Sequence, residues 1–272
     1  MSSSDSEDTR PTSGRLLVDA PAPGVARLTI SNPRKRGALD HAILDAFTSN
    51  LAKLDARCLI VTGEQTTFSA GYDLGDLRGG GQFADEADAL VANPFAAALD
   101  ALEAYPYPTV AALNGHAIGG GLELALACDL RIAAGTIALG MPPAKLGLVY
   151  SHTGIRKFID TIGAPRTREL FLVGRRIDAR TAREWGLVNA IAEDGRLAEE
   201  AVELAREIAS NAPLAQRGNK RVINTVLSAR GAMDPEVERE LIELRRACFA
   251  SEDFREGVRA FSEKRAPQWR GR

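Results

Sequence analysis

The sequence predicts an α/β fold, one large domain of strand–strand–helix units that closes with a purely helical region. Three observations carry that prediction. The strand–strand–helix pattern occurs twice within roughly the first 130 residues. A short apolar run, Thr109–Leu113, reads as a buried strand and passes through Asn114-Gly115 into three glycines, Gly119, Gly120 and Gly121, that open a helix. From Thr153 onward the periodicity is helical, and the last ~75 residues carry no strand pattern.

The first 14 residues, MSSSDSEDTRPTSG, are polar and acidic and are expected to form a disordered tail, 1–14. They lack the apolar stretch of a secretory signal and are too acidic for an organellar transit peptide. Arg15–Asp19 and Val25–Ile30 alternate as a hairpin joined by the turn-rich Ala20–Gly24. Asn32-Pro33 ends the second strand. Asp40 is the expected N-cap of a helix over His41–Leu54, with Ile43, Leu44, Phe47, Leu51 and Leu54 at helical spacing. Cys58–Thr62 reads as a buried strand, followed by a loop over Gly63–Gly75. Gly79–Gly81 is expected to be mobile and to precede a helix from Asp85 to about Ala104. The central helix, Leu122–Cys128, is apolar except for Glu123, and a helix apolar on every side is a buried one. Leu130–Ala133 and Ile137–Leu139 read as short strands, and Met141–Tyr150 as a loop with two prolines. Helices are expected at 153–162, 165–173, 178–185, 196–210, 214–229, 235–249 and 252–263, with Asp178 and Ser251 starting two of them. The division is therefore a core at 15–195 and a C-terminal helical region at 196–272.

Composition narrows the function classes. The 272 residues carry 34 basic and 36 acidic side chains, a net charge of −2, which gives no electrostatic argument for nucleic acid. Hydrophobic content of 45% and charged content of 26% suit a soluble enzyme. Three distant cysteines, Cys58, Cys128 and Cys248, fit a reducing compartment, so a cytoplasmic location is expected. No apolar run approaches the ~20 residues of a membrane span. No His/Cys/Asp cluster has metal-ligand spacing. Gly119–Gly121 lacks the spacing of a dinucleotide fingerprint. Ser151-His152 is not placed as a nucleophile–base pair, because sequence neighbours rarely face each other in that way.

The chemistry lies in two loops. Ala70-Gly71-Tyr72 and Gly119-Gly120-Gly121 each follow a buried strand and offer a glycine-flanked backbone N–H. If they face each other, the two amides converge on one oxygen as an oxyanion hole, where losing one donor typically costs ~10²–10³ in rate. Glu123 stands one turn into the helix, and a lone carboxylate in an apolar helix is costly unless it is used.

Four stretches together resemble the crotonase (enoyl-CoA hydratase/isomerase) superfamily over roughly residues 15–269. They are Asn32-Pro33 with Gly37-Ala38-Leu39, Phe68 to Leu74, Asn114-Gly115 through Gly119 to Leu124, and Glu256-Gly257 with Ala260-Phe261 and Glu263-Lys264-Arg265. The resemblance implies a ClpP/crotonase-like spiral of ββα units with a C-terminal helical trimerisation region. It implies a homotrimer or dimer of trimers acting on an acyl-CoA thioester, with CoA as part of the substrate and no separate cofactor. The oxyanion amides then fall on Tyr72 and Gly120. Phe261 and Lys264 match positions that hold the nucleotide end of CoA, and Arg34, Lys35 and Ala70 lie in the loops that flank it.

Hydratases of this family use two glutamates. Glu123 matches the first; where the second belongs, this chain has Pro143, which carries no proton. General acid–base work contributes ~10²–10⁴-fold, so the departure bears directly on the reaction. Met141 to Tyr150 with Ser151 and Gly154, Ala212 to Ala215, and Arg245-Arg246-Ala247 with Ser251 to Gly257 resemble the methylmalonyl-CoA decarboxylase branch. There the tyrosine matching Tyr150 orients the substrate carboxylate, and a histidine stands where Tyr72 stands here. Decarboxylation needs a held thioester oxygen and a desolvated carboxylate, with Tyr150 or Tyr72 bonding that carboxylate or delivering a proton. The expectation is decarboxylation of a short malonyl-type CoA such as methylmalonyl-CoA. The alternatives are an enoyl-CoA hydratase or isomerase using Glu123 alone, and a non-catalytic relative that binds CoA thioesters, RNA or protein.

Overall fold

The computed structural model describes residues 13–73, 91–229 and 233–272. Strands β1 (Arg15–Ala22) and β2 (Val25–Ser31) form an antiparallel hairpin. Helix α1 (His41–Leu51) starts at Asp40, whose carboxylate accepts from the Ile43 amide at 3.0 Å and the Gly14 amide at 2.6 Å. Then follow β3 (Cys58–Gly63), β4 (Thr67–Ser69), a wide helical turn Val91–Phe95 running into α2 (Ala96–Ala104), β5 (Thr109–Leu113), β6 (His116–Ile118) and the short α3 (Gly120–Leu126). After β7 (Leu130–Ala133) and β8 (Ala138–Gly140), a tight turn at Pro143–Leu146 leads to α4 (His152–Arg168), β9 (Arg176–Asp178), α5 (Ala179–Glu184) and β10 (Ala190–Ile191). Four helices close the chain: α6 (Leu197–Ser210), α7 (Pro213–Ala229), α8 (Pro235–Ala250) and α9 (Glu252–Ser262).

Two sheets organise the core. One runs β1-β2-β3-β5-β7-β10, parallel beyond the first hairpin; the other runs β4-β6-β8-β9, with only β8–β9 antiparallel. Strand alternation divides the first sheet cleanly. Leu28, Ile30, Leu59, Val61, Ala111 and Leu113 enter the main core with α1, α2 and α3. Cys58, Ile60, Val110, Ala112 and Ile132 face the opposite way, against Leu197, Ala201, Ala205 and Ile208 of α6. A sheet covered on both faces reads as continuous apolar runs, as TVAAL in β5 does.

The long elements fall where the sequence places them, and the differences have local causes. The first strand runs on to Ala22 through a register shift, so the turn shrinks to Pro23-Gly24, with Gly24 at φ +71°. Helix α1 stops at Leu51, short of the expected Leu54. Helix α3 spans Gly120–Leu126 rather than Leu122–Cys128; the buried Arg131 guanidinium bonds the Ala125 and Cys128 carbonyls at its end, at 3.4 and 2.7 Å. The expected break between 153–162 and 165–173 is present as a non-helical Gly163 at φ +76°. Strands β4, β6, β9 and β10, of two or three residues each, carry no pattern that the sequence reading identifies. The greater part of the tail, the Gly79–Gly81 segment and the beginning of the helix expected from Asp85 lie outside the described residues.

Helix α7 meets the core through one buried cation. Lys220 Nζ lies 2.7 Å from Asp129 Oδ2 and 3.1 Å from the Tyr107 carbonyl, and Asp129 also takes the Thr109 amide at 2.7 Å. Leu214, Val222, Ile223, Val226 and Leu227 of the same helix are exposed. Among the described residues no helix is long and apolar enough to cross a membrane.

Candidate active site

The two glycine-bearing loops face each other. A methyl group on Gly71 would lie 2.8 Å from the Ile118 carbonyl oxygen and 3.2 Å from the Gly120 nitrogen, so only glycine, here at φ +94°, lets them approach so closely. Gly121 is equally confined, since a methyl there would lie 2.6 Å from Ser69 Cβ. Ser69, fully buried, donates its hydroxyl to the Gly37 carbonyl at 2.8 Å and accepts the Gly71 amide at 3.1 Å. Asn114 joins the loop bases: its Oδ1 accepts from Gly63 N at 2.9 Å, and its Nδ2 donates to the Gln65 carbonyl at 2.9 Å.

Most of the neighbouring amides are committed. Ala70 N donates to Arg36 O, Gly71 N to Ser69 Oγ, Asp73 N to Leu39 O, Gly119 N to Gly140 O, and both Leu122 N and Glu123 N to Gly119 O. The Tyr72 and Gly120 amides, the two expected as oxyanion donors, have no acceptor among the described residues. A pair of N–H groups with open valence on facing loops is what a developing oxyanion requires.

Glu123 is 2% exposed on α3, and Tyr150 donates its hydroxyl to Glu123 Oε2 at 2.5 Å. Burial pushes the Glu123 carboxyl up to about 7, against the pull of the Tyr150 hydrogen bond and the charges of Lys157 and Arg245. Lys157 is itself paired with Glu103. The Tyr72 side chain returns across the site: a methyl on Gly120 would lie 3.1 to 3.3 Å from its Cζ and Cε atoms, and Phe95 meets the ring edge-on at 4.6 Å. Tyr72 interacts electrostatically with both Tyr150 and Glu123. Burial, with Glu123 adding to it, holds both phenols well above their ordinary acidity range, so both stay protonated. Phe171 packs edge-on against Tyr150 at 5.5 Å, and a methyl on Gly154 would lie 2.6 Å from Tyr150 Cε1 and 2.8 Å from Glu123 Oε1. Tyr72, Gly120, Glu123 and Tyr150 thus form one cluster.

The residues expected around CoA lie elsewhere. Lys35 is bound to Asp73 at 2.6 Å, which ties the Pro33–Lys35 turn to the oxyanion loop; Arg34 and Ala70 are exposed. Phe261 is 64% exposed and Lys264 is exposed in a left-handed conformation, φ +55°. Phe261 ends α9 and Lys264 follows it; Gly257 of that helix packs so tightly on the turn after Pro142 that a methyl there would lie 2.3 Å from the Leu146 carbonyl. Pro143 is buried at the start of that turn. Ser151 caps α4 by accepting from Gly154 N, and His152 pairs with Glu238 at 3.3 Å, so the two act in structure and not as a hydrolytic dyad. Among the described residues no group of three or more His, Cys, Asp or Glu side chains is placed to hold a metal ion.

Sequence reading missed two partners of this cluster. Arg245 acts electrostatically on both Tyr72 and Glu123, although it lies on α8 more than a hundred positions from either. The Tyr72–Tyr150 contact joins residues from separate loops, and no spacing rule foretells it.

Comparison with known proteins gives the same picture. The family model described as enoyl-CoA hydratase/isomerase matches residues 21–272. A Bacillus subtilis (strain 168) protein named "Probable enoyl-CoA hydratase" is 36% identical over 257 residues, covering 91% of this chain and 95% of that one. A solved methylmalonyl-CoA decarboxylase in complex with 2-nitronate-propionyl-CoA superposes with a TM-score of 0.86 at 28% identity, covering 95% of this chain and 99% of that one. An enoyl-CoA hydratase from Bacillus anthracis superposes with a TM-score of 0.75 at 32% identity, covering 95% of this chain and all of that one.

Proposed function

The chain belongs to the enoyl-CoA hydratase/isomerase family and has the crotonase fold, and from that premise we propose that it decarboxylates a short malonyl-type acyl-CoA such as methylmalonyl-CoA. One feature carries the reading: Pro143, the residue that the family resemblance sets against the second glutamate of hydratases, is buried at the start of its turn, while Glu123 is dry and bonded to Tyr150. Water addition requires one group to activate water and another to protonate carbon. Decarboxylation requires neither to start.

In this reading the thioester oxygen rests between the Tyr72 and Gly120 amides. The bond from the α-carbon to the carboxylate breaks, CO₂ leaves, and its electron pair flows into the enolate whose oxygen the amides hold. Each amide is worth ~10²–10³ in rate. Enclosure by Phe95, Phe171 and the two tyrosine rings strips water from the departing carboxylate. Arg34, Lys35, Ala70, Phe261 and Lys264 are assigned to the CoA moiety. The closer superposition on the decarboxylase than on the hydratase agrees with this choice. The exposed apolar side chains of α7 suit a homotrimer or dimer of trimers.

A second reading has one observation in its favour. A carboxyl poised at about 7 is partly ionised at neutral pH and suits a general base for hydration. Incubating the purified protein with malonyl-, methylmalonyl- and crotonyl-CoA, and following products by mass spectrometry, separates the two. Loss of CO₂ from methylmalonyl-CoA is the expected result; gain of water by crotonyl-CoA alone overturns it.

A further inference from the structure

The enolate left by CO₂ loss must take a proton on its α-carbon, and Pro143 cannot give one. We propose that Tyr72 is the acid that protonates this carbon, and that Tyr150 and Glu123 form the line that resupplies its proton. The inference rests on the enolate chemistry proposed above and adds the group that completes the turnover.

Three geometric facts support it. Tyr72 serves the site twice: its amide has no acceptor among the described residues, and its ring returns over Gly120, the other proposed oxyanion donor, with Cζ the nearest atom to a methyl built there. The phenol ring therefore borders Gly120, and the α-carbon is two bonds from the oxygen that the Gly120 amide is proposed to hold. The ring is fixed by the edge-on contact with Phe95 at 4.6 Å, so the hydroxyl is positioned before substrate enters. Tyr150, which interacts electrostatically with Tyr72, bonds Glu123 at 2.5 Å, and the proposal joins these three proton-bearing groups into one line.

The direction of that line depends on Glu123. With the carboxylate ionised, each hydroxyl points toward it, Tyr72 to Tyr150 to Glu123. With the carboxyl protonated the line reverses, and a proton stands at the Tyr72 end. As the new bond to the α-carbon forms, the Tyr72 O–H bond breaks. The Tyr150 proton passes to Tyr72, the Glu123 proton passes to Tyr150, and the resulting carboxylate regains a proton from water. One proton is consumed for each CO₂ released, as the reaction demands. Buried phenols that resist ionisation suit the task, because a donor that has already lost its proton cannot serve.

The test uses the reverse of the protonation step, which needs no decarboxylation. The full chain is incubated with propionyl-CoA in D₂O, and deuterium entering the α-position is followed by mass spectrometry. Wild type is expected to exchange. Tyr72→Phe should slow exchange about 100-fold or more, and Tyr150→Phe about tenfold, since water can reload Tyr72 directly. Tyr72→His restores a donor at the same place and should recover exchange to within about tenfold of wild type, which separates lost proton transfer from lost fold. With methylmalonyl-CoA in D₂O, wild type should place deuterium on one face of the α-carbon, and whatever product Tyr72→Phe forms should carry it equally on both faces. A wild type that exchanges no α-proton, or a folded Tyr72→Phe that exchanges within about threefold of wild type, overturns the proposal. If methylmalonyl-CoA is not decarboxylated but exchange is lost in Tyr72→Phe, the proton line stands and the decarboxylase reading falls.

Discussion

Glu123 is the residue where the fold's energetics and its chemistry meet. Its carboxyl titrates at about 7 in the folded chain, against 4.5 in an ordinary setting, because burial penalises the charge. Folding therefore retains a proton that the unfolded chain releases. The associated stabilisation is complete below about pH 4.5 and is lost as pH rises through about 7, a difference of about 3 kcal/mol. Glu123→Gln removes the titration, so it should raise Tm at pH 8 by about 5 °C relative to wild type, with a smaller difference at pH 5, as thermal melts at the two pH values will show. Activity should follow the same titration. If Glu123 supplies the proton, turnover of methylmalonyl-CoA falls as pH rises through about 7; a general base for hydration gives the opposite slope. Gly71 tests the oxyanion hole. At φ +94° and so close to Ile118 and Gly120, Gly71→Ala should shift one loop and lower kcat about 10²-fold or more, measured as CO₂ release.

At the scale of elements, α7 shows how little holds one helix of the C-terminal region to the core. Its one buried residue is Lys220, clamped between Asp129 and the Tyr107 carbonyl. Lys220→Met leaves Asp129 facing Thr109 without its cation. Because Asp129 is 29% exposed, water softens the loss, and about 2 kcal/mol is expected from urea unfolding. The elements also show what a sequence displays. Runs such as TVAAL in β5, or Ile43, Leu44, Phe47 and Leu51 in α1, carry a period long enough to be seen. Strands β4, β6, β9 and β10 are too short to establish one; they are defined by pairing with strands distant in sequence, as β4–β6, β6–β8 and β7–β10 are. Helix α3 shows the same limit at its boundary, set by an arginine on the following strand rather than by its own residues.

For the molecule as a whole, the site was legible where the residues themselves do the chemistry. Glu123 and the Gly119–Gly121 run stand out by polarity and by glycine content. Tyr150 was legible through resemblance. The joining of Tyr72 to Tyr150 and the approach of Arg245 were not, because they depend on how distant segments pack. The exposed apolar face of α7 makes a prediction at this scale. Light scattering after size exclusion should give a mass of three or six chains, and Val222→Glu combined with Val226→Lys should shift it to a single chain.

The Asn114 side chain sews together the ends of β3 and β5, and Gly63 and Gly115 beneath it are so confined that a methyl on either would fall within about 2 Å of the Thr67 or Thr66 carbonyl oxygen. The gap between the two open amides of Tyr72 and Gly120, the proposed oxyanion donors, is thus a property of the scaffold, fixed like the jaws of a caliper before any thioester arrives. Such a gauge measures its guest instead of moulding to it. It accepts a planar carbonyl of one size, and Asn114→Ala, by letting the jaws drift, should weaken the grip on enolate mimics far more than on CoA alone.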